Sequence, residues 1–326
     1  MTLQGIEFLL VSLLASAGLP EAILSETRRL QELIPENQRQ GIAEKEIASA
    51  LDGLKPIADD VAAGRVHLAF ERLGDSQDTL VSAAFLSQHQ EEVSTPETFL
   101  ELWETDGKTI DSEVAQIQKA GFGDRSAFVQ SIGEISSYRA LAHHRASRMY
   151  ARVGIPGGLY YLGSAHAARE LASLCARVDD RRTGALPTFR PLAPFEADLS
   201  KSTVSAYGQG DASTTHHRDF IRLDSALKEA RQLIAEGRPF GAAASLLEAR
   251  FRIGLVQKTA GGVPPDPDRA PYRARLLDPA FDHSLAMSLW ERALVRAASS
   301  EEKDRREAAV LLEEVLPFYF QLLEDR

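Results

Sequence analysis

Two His-x-x-x-Glu pairs, His67/Glu71 and His166/Glu170, combine residue types and a spacing that could do metal chemistry. On a helix a spacing of four places both side chains on one face. Each pair could then give an imidazole and a carboxylate to one ion, and two facing helices could supply a four-ligand site. Eight histidines among 47 acidic residues also produce such pairs by accident. The Glu-x-x-His motif that helical di-metal centres carry on two helices is missing. Surface His–Glu contacts explain the same residues without a metal.

The other polar constellations are weaker. His143-His144 and His216-His217 are adjacent pairs, and neighbours on a helix diverge too widely to chelate one ion, so one of each pair is expected to face the core and the other solvent. Use of a histidine as a general base would require a partner such as Cys175 or Ser164, and no spacing positions one. Cys175, the single cysteine, cannot form an internal disulfide and sits in the helical run from Leu171, which suits a small buried thiol. The stretch Gly154-Ile-Pro156-Gly157-Gly158-Leu-Tyr160-Tyr161 offers a different chemistry. Backbone N–H groups of Gly157 and Gly158 at a helix start, beside Arg152, could receive an anion. No strand precedes it and no Lys-Ser/Thr follows, so neither the dinucleotide nor the P-loop fingerprint is met and no cofactor is implied. A tight interhelical turn that packs two tyrosines is the structural alternative.

All of these residues depend on helices for their placement. Near the C-terminus, Ala308, Leu311, Leu312, Val315, Leu316, Tyr319 and Leu322 recur at steps of three and four, with Glu307, Glu313 and Glu314 between them. That period describes an amphipathic helix packed on one face. Ser299-x-x-Glu302 has capping-box spacing at its start, and Pro317 should bend its last turns. Thr95-Pro96-Glu97 predicts another helix start, and Asp124 precedes a long helix through Phe128, Ile132, Ile135, Leu141 and Tyr150. Alternating strand patterns with hairpin turns are missing. The expected class is all-α, built from antiparallel helical hairpins or bundles in two parts.

The boundaries follow from where this period fails. Residues 1–179 form an expected N-terminal helical domain, 180–214 an irregular linker or long loop, and 215–326 a C-terminal helical-hairpin domain. A proline-dense second gap, 259–282, separates two hairpins within the last part. The net charge of −10 is uneven: residues 1–179 hold 16 Lys+Arg against 25 Asp+Glu, while 215–326 hold 17 against 18. Neither part has the basic excess that phosphate binding requires, which argues against a nucleic-acid partner. Phe8 to Leu14 followed by Ala15-Ser-Ala17 imitates an export signal, yet Glu7 stands where positive charge belongs and no Lys or Arg precedes Arg28. A cytoplasmic protein beginning with a core helix is the expectation, and export with residues 1–17 as a poor signal peptide is the alternative. The apolar stretch is too short to span a bilayer.

One pattern occurs twice: Leu54-Lys55 through Ala62, Gly64-Arg65, Ala69 and Leu73, then Leu227-Lys228 through Ala235, Gly237-Arg238, Ala242 and Leu246. Each copy spells a helix, a glycine stop and a second helix of small residues. The second copy resembles the turn and second helix of a tetratricopeptide repeat over about 25 residues. That family's hairpins stack around a concave surface that binds a peptide or protein segment. Pro239 stands where the family has a Tyr-like residue, and a period of about 34 residues is not traceable through the flanking segments. The resemblance implies a non-catalytic binding or scaffold protein with a protein or peptide partner. A helical metal- or cofactor-dependent enzyme built on His67, Glu71, His166 and Glu170 is the competing expectation.

Overall fold

The computed structural model describes residues 18–35, 44–181, 184–208, 216–258, 266 and 271–324. Among these the chain is all-α, and extended pairing is limited to isolated bridges, among them Gly18 with Asp179, Ala185 with Phe281 and Phe189 with Leu323. The export-like segment 1–17 and most of the proline-dense gap after 258 lie outside the described residues. Backbone contacts divide the chain into Met1–Arg125 with Ser136–Asp180, and Ser126–Ile135 with Arg181–Arg326.

The first unit contains α1 (Leu19–Leu33), α2 (Glu44–Leu54), α3 (Ile57–Ala62), α4 (Val66–His89), α5 (Pro96–Ala120), the later part of α6 (Ala127–Ala151) and α7 (Ile155–Arg177). Helices α4 and α7 form its central antiparallel pair. Gly163 of α7 sits on Ser82 and Phe85, and Gly74 faces Leu171, so residue numbers fall along one helix as they rise along the other. Small residues permit this approach: a Cβ on Gly163 would stand 2.7 Å from the Ser82 Cα, and the Ser82 and Ser164 hydroxyls hydrogen-bond at 2.8 Å. Leu73, Leu80, Leu159 and Leu162 are fully buried around the pair. At roughly 1.5–3 kcal/mol each, such side chains outweigh the modest differences in helix propensity along the seam. Helix α5 begins as its sequence predicts: Thr98 N–H donates to Thr95 Oγ1 at 3.3 Å, Thr95 N–H donates to Thr98 Oγ1 at 3.2 Å, and Pro96 occupies the first turn.

The second unit contains the start of α6, then α8 (Ala193–Tyr207), α9 (His217–Ala235), α10 (Pro239–Gln257), α11 (Arg273–Leu276), α12 (Ser284–Ala297), α13 (Glu302–Val310) and α14 (Leu316–Leu322). Helix α8 corrects the reading of 180–214 as an irregular linker. Pro194 starts the helix, Leu199 and Ala206 bury its apolar side against α9 and α10, and Arg231 of α9 pairs with Glu196 at 2.6 Å. Its apolar period is too sparse to register in the sequence, so long-range packing decides it. The residues 126–135, expected in the first part, also belong to this unit. Asp282 explains why: its Oδ2 accepts Ala127 N–H at 3.1 Å, its Oδ1 accepts Ser284 N–H at 2.9 Å, and Ser284 Oγ accepts Phe128 N–H at 2.9 Å. Two orphan donors of the α6 start are thus satisfied from 155 and 156 positions away.

Both Gly-Arg turns close their helices identically. Gly64 and Gly237 have φ of +76° and +68°. Arg65 N–H reaches Asp60 O at 2.8 Å and Gly64 N–H reaches Val61 O at 3.0 Å; Arg238 reaches Leu233 at 2.9 Å and Gly237 reaches Ile234 at 3.1 Å. This 6→1 and 5→2 pairing is a Schellman cap, in which glycine supplies the left-handed residue.

The C-terminal stripe is buried as its period predicts, but its ends differ from expectation. Ser299 Oγ accepts only Glu301 N–H at 3.1 Å, and the helix starts at Glu302 without a side-chain cap, so the Ser299/Glu302 capping box does not form. Ahead of Pro317 the helix widens into a π turn, Leu311–Val315. In that i→i−5 register the partner of Leu312 O would be the N–H that Pro317 lacks. Tyr272 supplies the missing donor, its hydroxyl reaching Leu312 O at 2.6 Å.

Candidate functional site

The four metal-ligand candidates do not converge. Glu170 accepts from Arg29 at 2.9 Å and lies 3.7 Å from Arg169, while His166 Nε2 pairs with Asp106 at 2.9 Å and its ring stacks on Phe85. The antiparallel register of α4 and α7 places His67 about nine residues, or roughly 13 Å along the axis, beyond the level of Glu170. Among the described residues no group of three or more His, Cys, Asp or Glu side chains is arranged to hold a metal. Right spacing within each pair therefore fails at the level of register between helices.

The anion candidates resolve into packing. Gly154 caps α7, and Gly158 N–H is already bonded to Gly154 O at 3.2 Å. Gly158 is required where it is because a Cβ would lie 2.6 Å from Ala151 Cβ and 2.9 Å from Phe99. Gly157 faces Tyr150 in the same turn, and Arg152 is exposed. The tight turn is thus the reading these residues support.

His144 is buried in a reciprocal pair with Trp103: the rings stack at 4.5 Å, Trp103 Nε1 donates to His144 O at 2.8 Å, and His144 Nε2 meets Trp103 O at 2.9 Å. Its half-buried neighbour His143 follows the alternation expected of the pair. Cys175 is fully buried, and burial first, then Asp180, pushes its thiol well above the usual range, which keeps it protonated and unreactive.

What the first unit does present is an apolar and basic hairpin end between α6 and α7. Met149 is 69% exposed, Tyr150 44% and Val153 91%. Tyr150 is held flat on Tyr161 at a centroid distance of 3.8 Å, which fixes its ring in place. Arg145, Arg148 and Arg152 flank the cluster, all exposed. Positions 145, 148 and 149 share one face of the helix. Arg148 lies 5.1 Å from the Trp103 ring, and none of the three arginines makes an ion pair with a described residue. The sequence carries this signal as apolar residues in the last turn of α6 and the turn after it, interleaved with Arg145, Arg148 and Arg152, a pattern that helical periodicity does not select.

The second unit holds a cavity of about 220 Å³ whose polar lining includes Thr188, Arg275, Asp278, His283 and Glu324. It is assembled from the 184–192 segment, the α11–α12 connection and the chain end after α14. A second buried group lies elsewhere in the same unit: Glu134, which accepts Gly241 N–H at 2.6 Å. Burial is the main cause of its pKa rising to about 7, against the opposing pull of Gly241 N–H, Arg238 and Phe240 N–H. Neither arrangement was visible as a motif, because each joins segments far apart in the chain.

No family model, curated protein or solved structure matches the chain. Among the described residues, no helix is long and apolar enough to cross a membrane.

Proposed function

We propose that this chain is a non-catalytic helical binding protein whose hairpin end at Met149–Val153 docks a partner segment carrying both apolar and acidic side chains. The observation that supports this reading is the coincidence of three exposed apolar or aromatic side chains with three arginines that make no ion pair with a described residue. Side chains as exposed as Met149 and Val153 add nothing to a core, and a contiguous apolar patch rimmed by charge is the usual form of a contact surface. Residues 1–179 carry nine more acidic than basic residues (25 against 16), so a local basic rim differs in sign from its surroundings and favours an acidic approach.

Fluorescence polarisation with a labelled amphipathic Glu/Leu helical peptide, set beside its Lys/Leu counterpart, tests the idea on the full chain. The Glu/Leu peptide should bind saturably and the Lys/Leu peptide should not. Met149→Ser with Val153→Ser should weaken binding at least about tenfold, while circular dichroism and melting remain those of the parent. Equal binding of both peptides, no binding of either, or indifference to the double substitution would each refute the proposal. Tighter association with vesicles of anionic lipid than with the Glu/Leu peptide would do the same, by assigning the patch to a membrane surface.

A further inference from the structure

The cavity of the second unit is independent of the hairpin end, and its charges are arranged unusually. The Arg275 guanidinium sits 4.5 Å from the Phe320 ring centroid, and Arg275, Asp278 and Glu324 are all among the residues that line the cavity. Yet neither carboxylate is within ion-pairing distance of Arg275 or makes an ion pair with another described residue. Asp278 Oδ1 accepts Ala280 N–H at 2.9 Å, which leaves its second oxygen. Groups of opposite sign that share a small cavity without meeting each other match a ligand carrying both signs.

The donor wall has a second member. His283 is buried, and its Nδ1 lies 2.9 Å from the hydroxyl of the fully buried Tyr319. A buried phenol must place its proton on an acceptor, and Nδ1 is the acceptor within reach. The imidazole proton then sits on Nε2, the remaining donor of a ring that lines the cavity. Burial first, then Arg275, holds His283 below its usual range, so the ring is a neutral donor near pH 7. Phe281 and Leu323 supply apolar wall. A volume near 220 Å³ is below the roughly 300–1,000 Å³ of drug-sized sites, which sets the ligand below drug size.

We propose that this cavity binds a small zwitterion of the α-amino acid class, with its carboxylate on Arg275 and His283 Nε2–H, its ammonium on Asp278 and Glu324, and an apolar side chain against Phe281 and Leu323. Guanidinium and carboxylate match in planar two-point geometry, which makes Arg275 the anchor.

Isothermal titration of the full chain with L-leucine, 4-methylpentanoate and 3-methylbutylamine separates the two halves of this recognition, since the analogues lack the ammonium and the carboxylate respectively. Leucine should bind saturably, and each analogue at least about tenfold more weakly. Arg275→Gln should weaken leucine about tenfold and leave the amine unchanged; Asp278→Asn with Glu324→Gln should weaken leucine and leave 4-methylpentanoate unchanged. The three side chains are on exposed residues, and unchanged melting curves confirm that the variants are folded. Should Arg275→Gln melt early through its lost contact with Phe320, the carboxylate double variant carries the test alone. Absence of saturable heat with leucine, alanine and glycine overturns the proposal, as does an analogue that binds as tightly as leucine. Because the peptide assay reads Met149 and Val153 and this one reads Arg275 and Glu324, either reading can fail without the other.

Discussion

Glu134 shows how one buried carboxyl couples this protein's stability to pH. Its native pKa is raised from the ordinary 4.5 to about 7. Between those values the native state holds a proton that the unfolded chain has released, so this group makes stability fall as pH rises through the window. The penalty is complete above pH 7 and absent below 4.5. Glu134→Gln keeps an oxygen acceptor for Gly241 N–H and removes the charge. Thermal melts should therefore show the variant more stable than the parent at pH 8, by on the order of 3 kcal/mol at most, with the difference closing by pH 4.5. A pH-independent difference would mean that shape rather than ionisation is at issue. Of the buried ionisable or polar groups that matter most, Glu134, Asp282 and His283 did not stand out in the sequence, and Tyr319 did so only as a member of the C-terminal apolar stripe. Each meets its partner across 36 to 155 positions, and residue spacing carries no record of such meetings.

Helices, by contrast, announce themselves locally. The Thr95 cap, the Gly64 and Gly237 stops and the buried stripe from Ala308 to Leu322 each follow from interactions within a few residues, which is why the sequence reveals them. The linker reading of 180–214 fails because tertiary packing stabilises a helix that the local sequence does not announce, whereas the Ser299/Glu302 box gives way to another local bond, from Glu301 N–H to Ser299 Oγ. Two glycines separate the local from the tertiary contribution. Gly237→Ala forces a side chain into the left-handed region with no clash nearby, and should cost about 1–2 kcal/mol. Gly163→Ala instead drives a methyl against the Ser82 backbone at 2.7 Å, so α4 and α7 must part, at about 1–3 kcal/mol or more. Chemical denaturation of both variants checks the order: a larger loss at Gly237 than at Gly163 would show that the α4–α7 seam is not the tighter constraint.

On the scale of the whole molecule, the metal and scaffold readings differ in a property of the purified protein. With Glu170 engaged by Arg29 and His166 by Asp106, the melting temperature should not move after dialysis against a chelator, and elemental analysis should find no stoichiometric metal that His166→Ala removes. Stoichiometric metal lost in that variant would restore the enzyme reading. The sequence by itself determined the all-α class, the helix start at Thr95, the two Gly-Arg caps and the uneven charge, because helix period, capping and charge are properties of neighbours along the chain. Only the tertiary structure decided that the two His/Glu pairs stay apart, that Gly158 serves packing, that 126–135 joins the second unit, and that Arg275, His283 and Glu324 share one cavity. Those outcomes depend on the register between helices and on burial, where a shift of a few residues moves a side chain by more than the reach of a hydrogen bond.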